Sequence, residues 1–372
     1  MKQKVAILTQ PLHTNYGGTL QAYALQKTIK DMGVDVVTLN YQWKTRNGFR
    51  FILAVIKNHL LNRKEKFPFL PKEQILREQN HRKFIEKNIV TSKVIFSEDE
   101  LLRHFKEENY DSVVVGSDQV WRVEYSPNID NFFLNFLDDS IRKIAYAASF
   151  GLDTWQFTPE KTAQIKNWLE KFDVVSVRED SASVLCKEFL DIQAEHVLDP
   201  TLLLTKEHYT KLIEDIPVME KGVFTYILDK SREKDQIVNL VSDKFKLKTF
   251  TKQPIKNNKT ELFITNEQEY VYPKIEEWIS AFRDASFIVT DSFHGMVFSI
   301  IFNKPFIAVA NKERGNSRFI SLLSWLDLEY RLVNTIEEIT DKHFITPEFD
   351  RINDIIKKKR ELCKNLIFKG LN

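Results

Sequence analysis

His294 is the residue best placed for proton chemistry, in the run IVTDSFHG at 288–295. A β-branched apolar run ends at Thr290, and an apolar stretch at helical spacing follows. The imidazole therefore belongs at a helix N-terminus just beyond a strand end. A general acid is useful there, because open α/β sheets bind ligands beyond the carboxyl ends of their strands. The helix end lowers a histidine's proton affinity, and a bound phosphate would raise it. Asp291 offers a second carboxylate, and Ser292 and Gly295 offer donors around the same helix end. A lone histidine is more often structural, but one between a strand end and a glycine favours function.

Four other segments offer groups of the same kind. In VVVGSDQVWR at 113–122, Asp118 follows a strand and could accept a proton or hold a hydroxyl; the alternative is a turn cap. In VVSVREDS at 174–181, Arg178 could hold a carboxylate or phosphate bidentately; the alternative is a surface pair with Glu179 or Asp180. In NKERGNSRF at 311–319, Lys312, Arg314 and Arg318 make the strongest anion site on composition, or else a solvated basic loop. In QPLHTNYGGTLQ at 10–21, Asn15, Gly17 and Gly18 let backbone amides approach an anion, or else form a tight turn. This last run is not G-x-G-x-x-G, and no acidic residue ends the second strand, so dinucleotide binding is disfavoured.

These groups need a scaffold that brings strand ends together. Short β-branched runs at 5–9, 35–39, 112–115, 143–147, 174–177 and 196–198 alternate with helical stretches such as 19–32, 161–171 and 180–189. The alternation restarts after Pro200. Strands are predicted at 222–228, 248–251, 286–290 and 305–309, and helices at 234–244, 273–283 and 294–302, with Pro273 in the first turn of its helix. The fold class is α/β, with two doubly wound units of parallel sheet covered by helices. The predicted division is 1–200, 201–345 and a basic helical tail, 346–372. A helical insertion at about 43–90 has no clear strand before residue 87.

Composition narrows the classes. The 372 residues carry 54 Lys and Arg against 52 Asp and Glu, too near neutrality for a nucleic-acid coat protein. Cys186 and Cys363 make neither a disulfide framework nor a zinc knuckle, which suits a reducing cytoplasm. No apolar run is long enough for a transmembrane helix or a signal-peptide core.

The ordered set NYGGTLQAYAL, VVVGSDQVW, AYAASFG, VSVRED, HVLDPTLLL, TDSFHGMVFSIIFNKPFIAV and GNSRF resembles the polysaccharide pyruvyl transferase family. The resemblance implies two Rossmann-like lobes facing a cleft, as in the GT-B glycosyltransferases. The first lobe would take the acceptor and the second phosphoenolpyruvate. It implies transfer of pyruvate from phosphoenolpyruvate onto a bacterial capsular, exopolysaccharide or cell-wall glycan, or its lipid-linked precursor, as a cyclic ketal. On that reading His294 is the acid, Asp118 the base with Asp291 second, and the arginines hold the donor; neither cofactor nor metal is needed. Two alternatives stay open: a GT-B glycosyltransferase using a nucleotide sugar, and a two-lobed binding subunit without turnover. Homo-oligomerisation is open as well.

The near-neutral charge is a cancellation. Residues 43–69 hold seven Lys or Arg against Glu65 alone, and residues 351–372 hold seven against two acids. Both stretches are amphipathic in pattern. They fit either solvated faces or a peripheral contact with an anionic membrane, at the inner face of the plasma membrane.

Overall fold

Short apolar runs that bury both faces make the centre of each sheet. The computed structural model describes residues 3–43, 48–61, 63, 67–311 and 315–372. Seven strands form the first sheet: β1 (Lys4–Leu8), β2 (Asp35–Tyr41), β3 (Thr91–Ile95), β4 (Ser112–Val115), β5 (Arg142–Ala148), β6 (Val174–Val177) and β7 (Glu195–His196). Five form the second: β8 (Val223–Tyr226), β9 (Thr249–Phe250), β10 (Phe287–Thr290), β11 (Phe306–Val309) and β12 (Leu332–Val333). Their spatial orders are β3-β2-β1-β4-β5-β6-β7 and β12-β11-β10-β8-β9, and every pairing is parallel. These are two Rossmann-like, doubly wound lobes. In each, strand order reverses at one point: between β1 and β4, and between β8 and β10. Loops diverge there and leave a crevice at the strand ends.

The helices are α1 (Tyr16–Asp31), α2 (Gly48–Leu60), α3 (Pro71–Asn88), α4 (Glu98–Glu108), α5 (Pro159–Leu169), α6 (Asp180–Leu190), α7 (Lys206–Leu212), α8 (Arg232–Phe245), α9 (Ile275–Asp284), α10 (Phe293–Ile301), α11 (Ser317–Leu326) and α12 (Phe349–Leu371). Helix starts shift by up to three residues from the sequence reading, and two of the shifts bear on the site and its neighbours. Helix α1 begins at Tyr16, so Gly17 and Gly18 lie inside its first turn, with Asn15 as the cap accepting from Gly18 N at 3.1 Å. Helix α9 begins at Ile275 after Lys274, so Pro273 stands outside it. The insertion supplies α2 and α3, and edge strand β3 follows it.

Alternation along the strands assigns the cores. Val5 and Ile7 face a core shared with Phe224, Ile288 and Phe306 of the second sheet, while Ala6 and Leu8 face a separate one. The shared core runs through α1, α9, α10 and α12. Helix α12 reaches from the second lobe, where Arg351 pairs with Asp327 on the α11 end, to the first, where Gly370 lies against Ile144 and Val174. Helix α3 crosses the other way: Asn80 donates to Tyr272 O at 2.8 Å, and Glu73 pairs with the buried Lys259 at 2.6 Å.

Candidate active site

The turn after β10 is built to aim His294. Thr290 Oγ1 donates to Tyr226 O at 2.7 Å and accepts from Ser292 N at 3.1 Å. A side chain at Gly295 would come within 2.2 Å of that same hydroxyl oxygen, so only glycine fits. Ser292 then caps α10, accepting from Gly295 N at 3.4 Å. His294 follows in the first turn, nearly buried. Its ring lies on Gly17 of the first lobe, where a Cβ would fall 2.0 Å from Nδ1. Gly17 thus serves close packing on a histidine from the opposite lobe, while Gly18 lies against its own cap, Asn15.

His294 Nε2 lies 3.6 Å from Asp199 Oδ2, just beyond hydrogen-bond distance. The same oxygen accepts from Arg178 at 3.0 Å, and Arg178 reaches Asp118 Oδ1 at 3.3 Å. Asp199 Oδ1 is held by the Thr201 hydroxyl at 2.6 Å and by its amide at 3.0 Å. Burial opposes ionisation of Asp199, but His294, Arg178 and Thr201 outweigh it and hold the carboxyl well below its usual range. Burial likewise opposes the charge on Asp118, and Arg178, His294 and Arg318 overcome it, so this acid is also held low. Arg178 is the converse case: Asp118, Asp199 and Glu179 outweigh burial and raise its proton affinity.

Arg318, in the first turn of α11, completes the group. Arg178 and Arg318 both lie over the Phe293 ring, at 5.0 and 5.9 Å from its centroid. Burial first, and repulsion from Arg178 second, bring Arg318 down to about 10. It stays charged at neutral pH, but an arriving anion would relieve it. Glu179 is buried too, and burial raises its pKa against the pull of Arg178 and Arg318. It accepts from Ser149 Oγ at 2.8 Å and from Gly151 N at 3.2 Å. The lobes join beside this point: Asp180 N donates to Ser321 Oγ at 2.9 Å, and Gly315 packs on Gly151 O.

Several sequence-predicted residues therefore converge: His294, Arg178, Asp118 and Arg318, with Gly17 beneath the ring. Arg178 does not make the surface pair with Glu179 or Asp180; its partners are Asp118 and Asp199. Asp291 is directed elsewhere. Its two oxygens accept from Leu228 N at 2.6 Å, Asp229 N at 3.0 Å and Lys234 Nζ at 2.6 Å, bracing the turn after β8. Lys312 and Arg314 lie outside the described residues. The sequence reading missed Asp199, Phe293 and Glu179. The signal for Asp199 was HVLDP, a strand end followed by an acid, the same pattern that marked Asp118.

Two chambers open from the switch points. The larger, about 700 Å³, is lined by Tyr226, Asp229, Lys230, Gln253 and Ser292 of the second lobe. The smaller, about 330 Å³, is lined by Gln10, Gly18, Asp118, Gln119 and Tyr125 of the first. His13 and Asn15 border both. Asp118 has φ +71°, a strained setting for a non-glycine residue of the kind that clusters at functional sites. Among the described residues, no cluster of three or more His, Cys, Asp or Glu could hold a metal ion.

The family model for polysaccharide pyruvyl transferase matches residues 15–313, which include His294, Asp199, Arg178, Asp118 and Gly17 but not Arg318. The chain belongs to the polysaccharide pyruvyl transferase family. Outside the family model, no curated protein matches the sequence. Solved structures similar to this pyruvyl transferase family member include a UDP-GlcNAc 2-epimerase from Neisseria meningitidis bound to UDP-GlcNAc. It is 7% identical, with 99% of each chain covered and a TM-score of 0.49. The spinosyn forosaminyltransferase SpnP is 11% identical over 100% of this chain and 96% of its own, with a TM-score of 0.44. An α-glucosyltransferase in complex with UDP is 10% identical over 99% and 96%, with a TM-score of 0.46.

Proposed function

We propose that this transferase moves pyruvate from phosphoenolpyruvate onto two hydroxyls of a sugar, forming a cyclic ketal and releasing phosphate. The acceptor is a surface polysaccharide or its lipid-linked precursor. The observation that carries this reading is the pair of buried arginines across Phe293, beside a histidine in the first turn of a helix. A small ligand bearing both carboxylate and phosphate needs several cations and amides at one point. Arg318 and the α10 N-terminus supply them, while Arg178, already matched by two carboxylates, orients Asp118 and Asp199.

His294 delivers a proton to C3 of the enol, leaving cationic character at C2, where one sugar hydroxyl attacks. Phosphate departs, and the second hydroxyl closes the ring. Of the two hydroxyl protons, one balances the methyl group formed at C3 and the other leaves with phosphate as hydrogen phosphate. Asp118, ionised and lining the smaller chamber, takes the hydroxyl proton or holds the sugar. No cofactor enters this scheme.

Phosphate release from phosphoenolpyruvate, measured over a panel of galactose-, mannose- and glucose-type acceptors, tests the reading. Release should require an acceptor, and mass spectrometry should find a ketal-linked pyruvyl group on it. His294→Ala should lower turnover by about 10²-fold or more. Calorimetric binding of a nucleotide sugar, with none of phosphoenolpyruvate, would overturn the proposal.

A further inference from the structure

Among the described residues, the first lobe carries an apolar stripe that belongs to none of the cores. On α2, Ile52, Ile56 and Leu60 follow at four-residue spacing with Leu53 beside them, and they are 57, 50, 79 and 49% exposed. The opposite face, with Ala54, Val55 and Asn58, turns inward, and Asn58 is only 6% exposed. A surface helix ordinarily buries its apolar stripe and shows its amides to water. Here the arrangement is inverted. Leu61 extends the stripe, and Trp43, half exposed, lines the smaller chamber. Lys57 and Arg63 are exposed at its edge, within a stretch whose basic residues exceed its acids by six.

A second copy of the chain is a poor occupant. A two-fold contact would set this basic stretch against itself. We propose that α2 docks the protein onto an anionic lipid bilayer, with the smaller chamber beside the membrane surface. Exposed branched aliphatics flanked by Lys and Arg match the chemistry of an interfacial helix. The other basic stretch is less free to share the role, because four of its seven cations are engaged within the chain. Arg351 pairs with Asp327, Lys359 lies 3.4 Å over the Trp325 ring, Arg360 donates to Leu202 O, and Lys364 faces Glu361. Among the described residues no helix is long and apolar enough to cross a membrane, so the attachment is adsorption. Docking goes beyond the pyruvyl-transfer reading and rests on α2 alone.

Cosedimentation of the full chain with vesicles tests it. Vesicles of equal parts phosphatidylcholine and phosphatidylglycerol should bind about tenfold or more tightly than phosphatidylcholine alone. Ile52→Asp with Ile56→Asp should abolish that binding, and Lys57→Glu with Arg63→Glu should weaken it about tenfold. Both pairs lie at the surface and should leave the circular dichroism spectrum and phosphate release unchanged. Equal binding to the two vesicle types, or undiminished binding of the aspartate variant, would overturn the proposal. So would a lipid-free dimer that the aspartate variant dissociates, which would assign the stripe to a second copy. No phosphoenolpyruvate enters the vesicle assay, so its failure is separate from failure of the catalytic reading.

Discussion

Asp199 brings Arg178 and His294 to one carboxylate oxygen and so ties the histidine of the second lobe to the arginine of the first. Asn at this position keeps the shape, and its oxygen can still accept from Thr201. The negative charge between Arg178 and His294 is lost. Turnover of Asp199→Asn should fall by about 10²-fold while the KM for phosphoenolpyruvate moves much less, because the loss is one of alignment. Removing one partner from a buried ion group should also lower stability by about 3 kcal/mol, read from urea unfolding. A proportional rise in KM would instead place Asp199 in donor binding. The individual groups at this site were legible because each follows a strand: His294, Arg178 and Asp118 announce themselves by position. Their pairing was not. Nothing local in VSVRED shows that Arg178 passes over Glu179 and Asp180 to reach Asp118 and Asp199. That choice is made by the parallel register that sets the ends of β4, β6 and β7 together.

Helix α3 shows the same limit at the scale of an element. Strands buried on both faces read directly from their apolar runs, and 112–115 and 174–177 are strands to the residue. Edge strands β3 and β12 did not, because β3 shows Lys93 and Val94 to solvent and β12 is two residues long. The insertion before β3 could be recognised, but not its destination. Helix α3 packs the fully buried His81 between Tyr16 of the first lobe and Tyr272 of the second, 4.5 and 5.7 Å from their rings; Tyr16 in turn stacks on Trp278. Neither His81 nitrogen has a hydrogen-bond partner among the described residues. Burial, with His13 adding to it, brings its pKa down to about 3 from 6.5. The unfolded chain therefore takes up this proton first as pH falls. The contribution of His81 is whole above pH 6.5 and is lost progressively toward pH 3. Between pH 6.5 and about pH 4.5 the loss should be on the order of 3 kcal/mol. His81→Phe keeps a ring in the cluster and should flatten that part of the stability–pH curve. Parallel urea midpoints for the two proteins across this window would show that α3 is held some other way.

At the scale of the molecule, the two sheets are separate in hydrogen bonding but not in packing. Residues from β1 and β5 share one core with residues from β8, β10 and β11, and the outer face of each sheet has its own. Lobes joined by a small polar seam would melt separately; lobes that share their main core should not. Helix α12 strengthens the coupling. Its Ile352 and Ile367 are buried in the shared core, and Leu198 N donates to Cys363 Sγ at 3.4 Å. One calorimetric transition is therefore expected, with equal calorimetric and van't Hoff enthalpies. Trp121 of the first lobe and Trp278 of the second, each buried, report on the two halves. Followed one at a time in chains whose other tryptophans are phenylalanine, they should lose their native emission at the same denaturant concentration. Ile367→Ala removes a buried side chain beside the first sheet and should cost about 3 kcal/mol. If the lobes form one unit, that loss appears equally at Trp278 on the far side of the cleft. A shift seen at Trp121 alone would show that the lobes unfold independently, and that α12 belongs to the first lobe rather than to both.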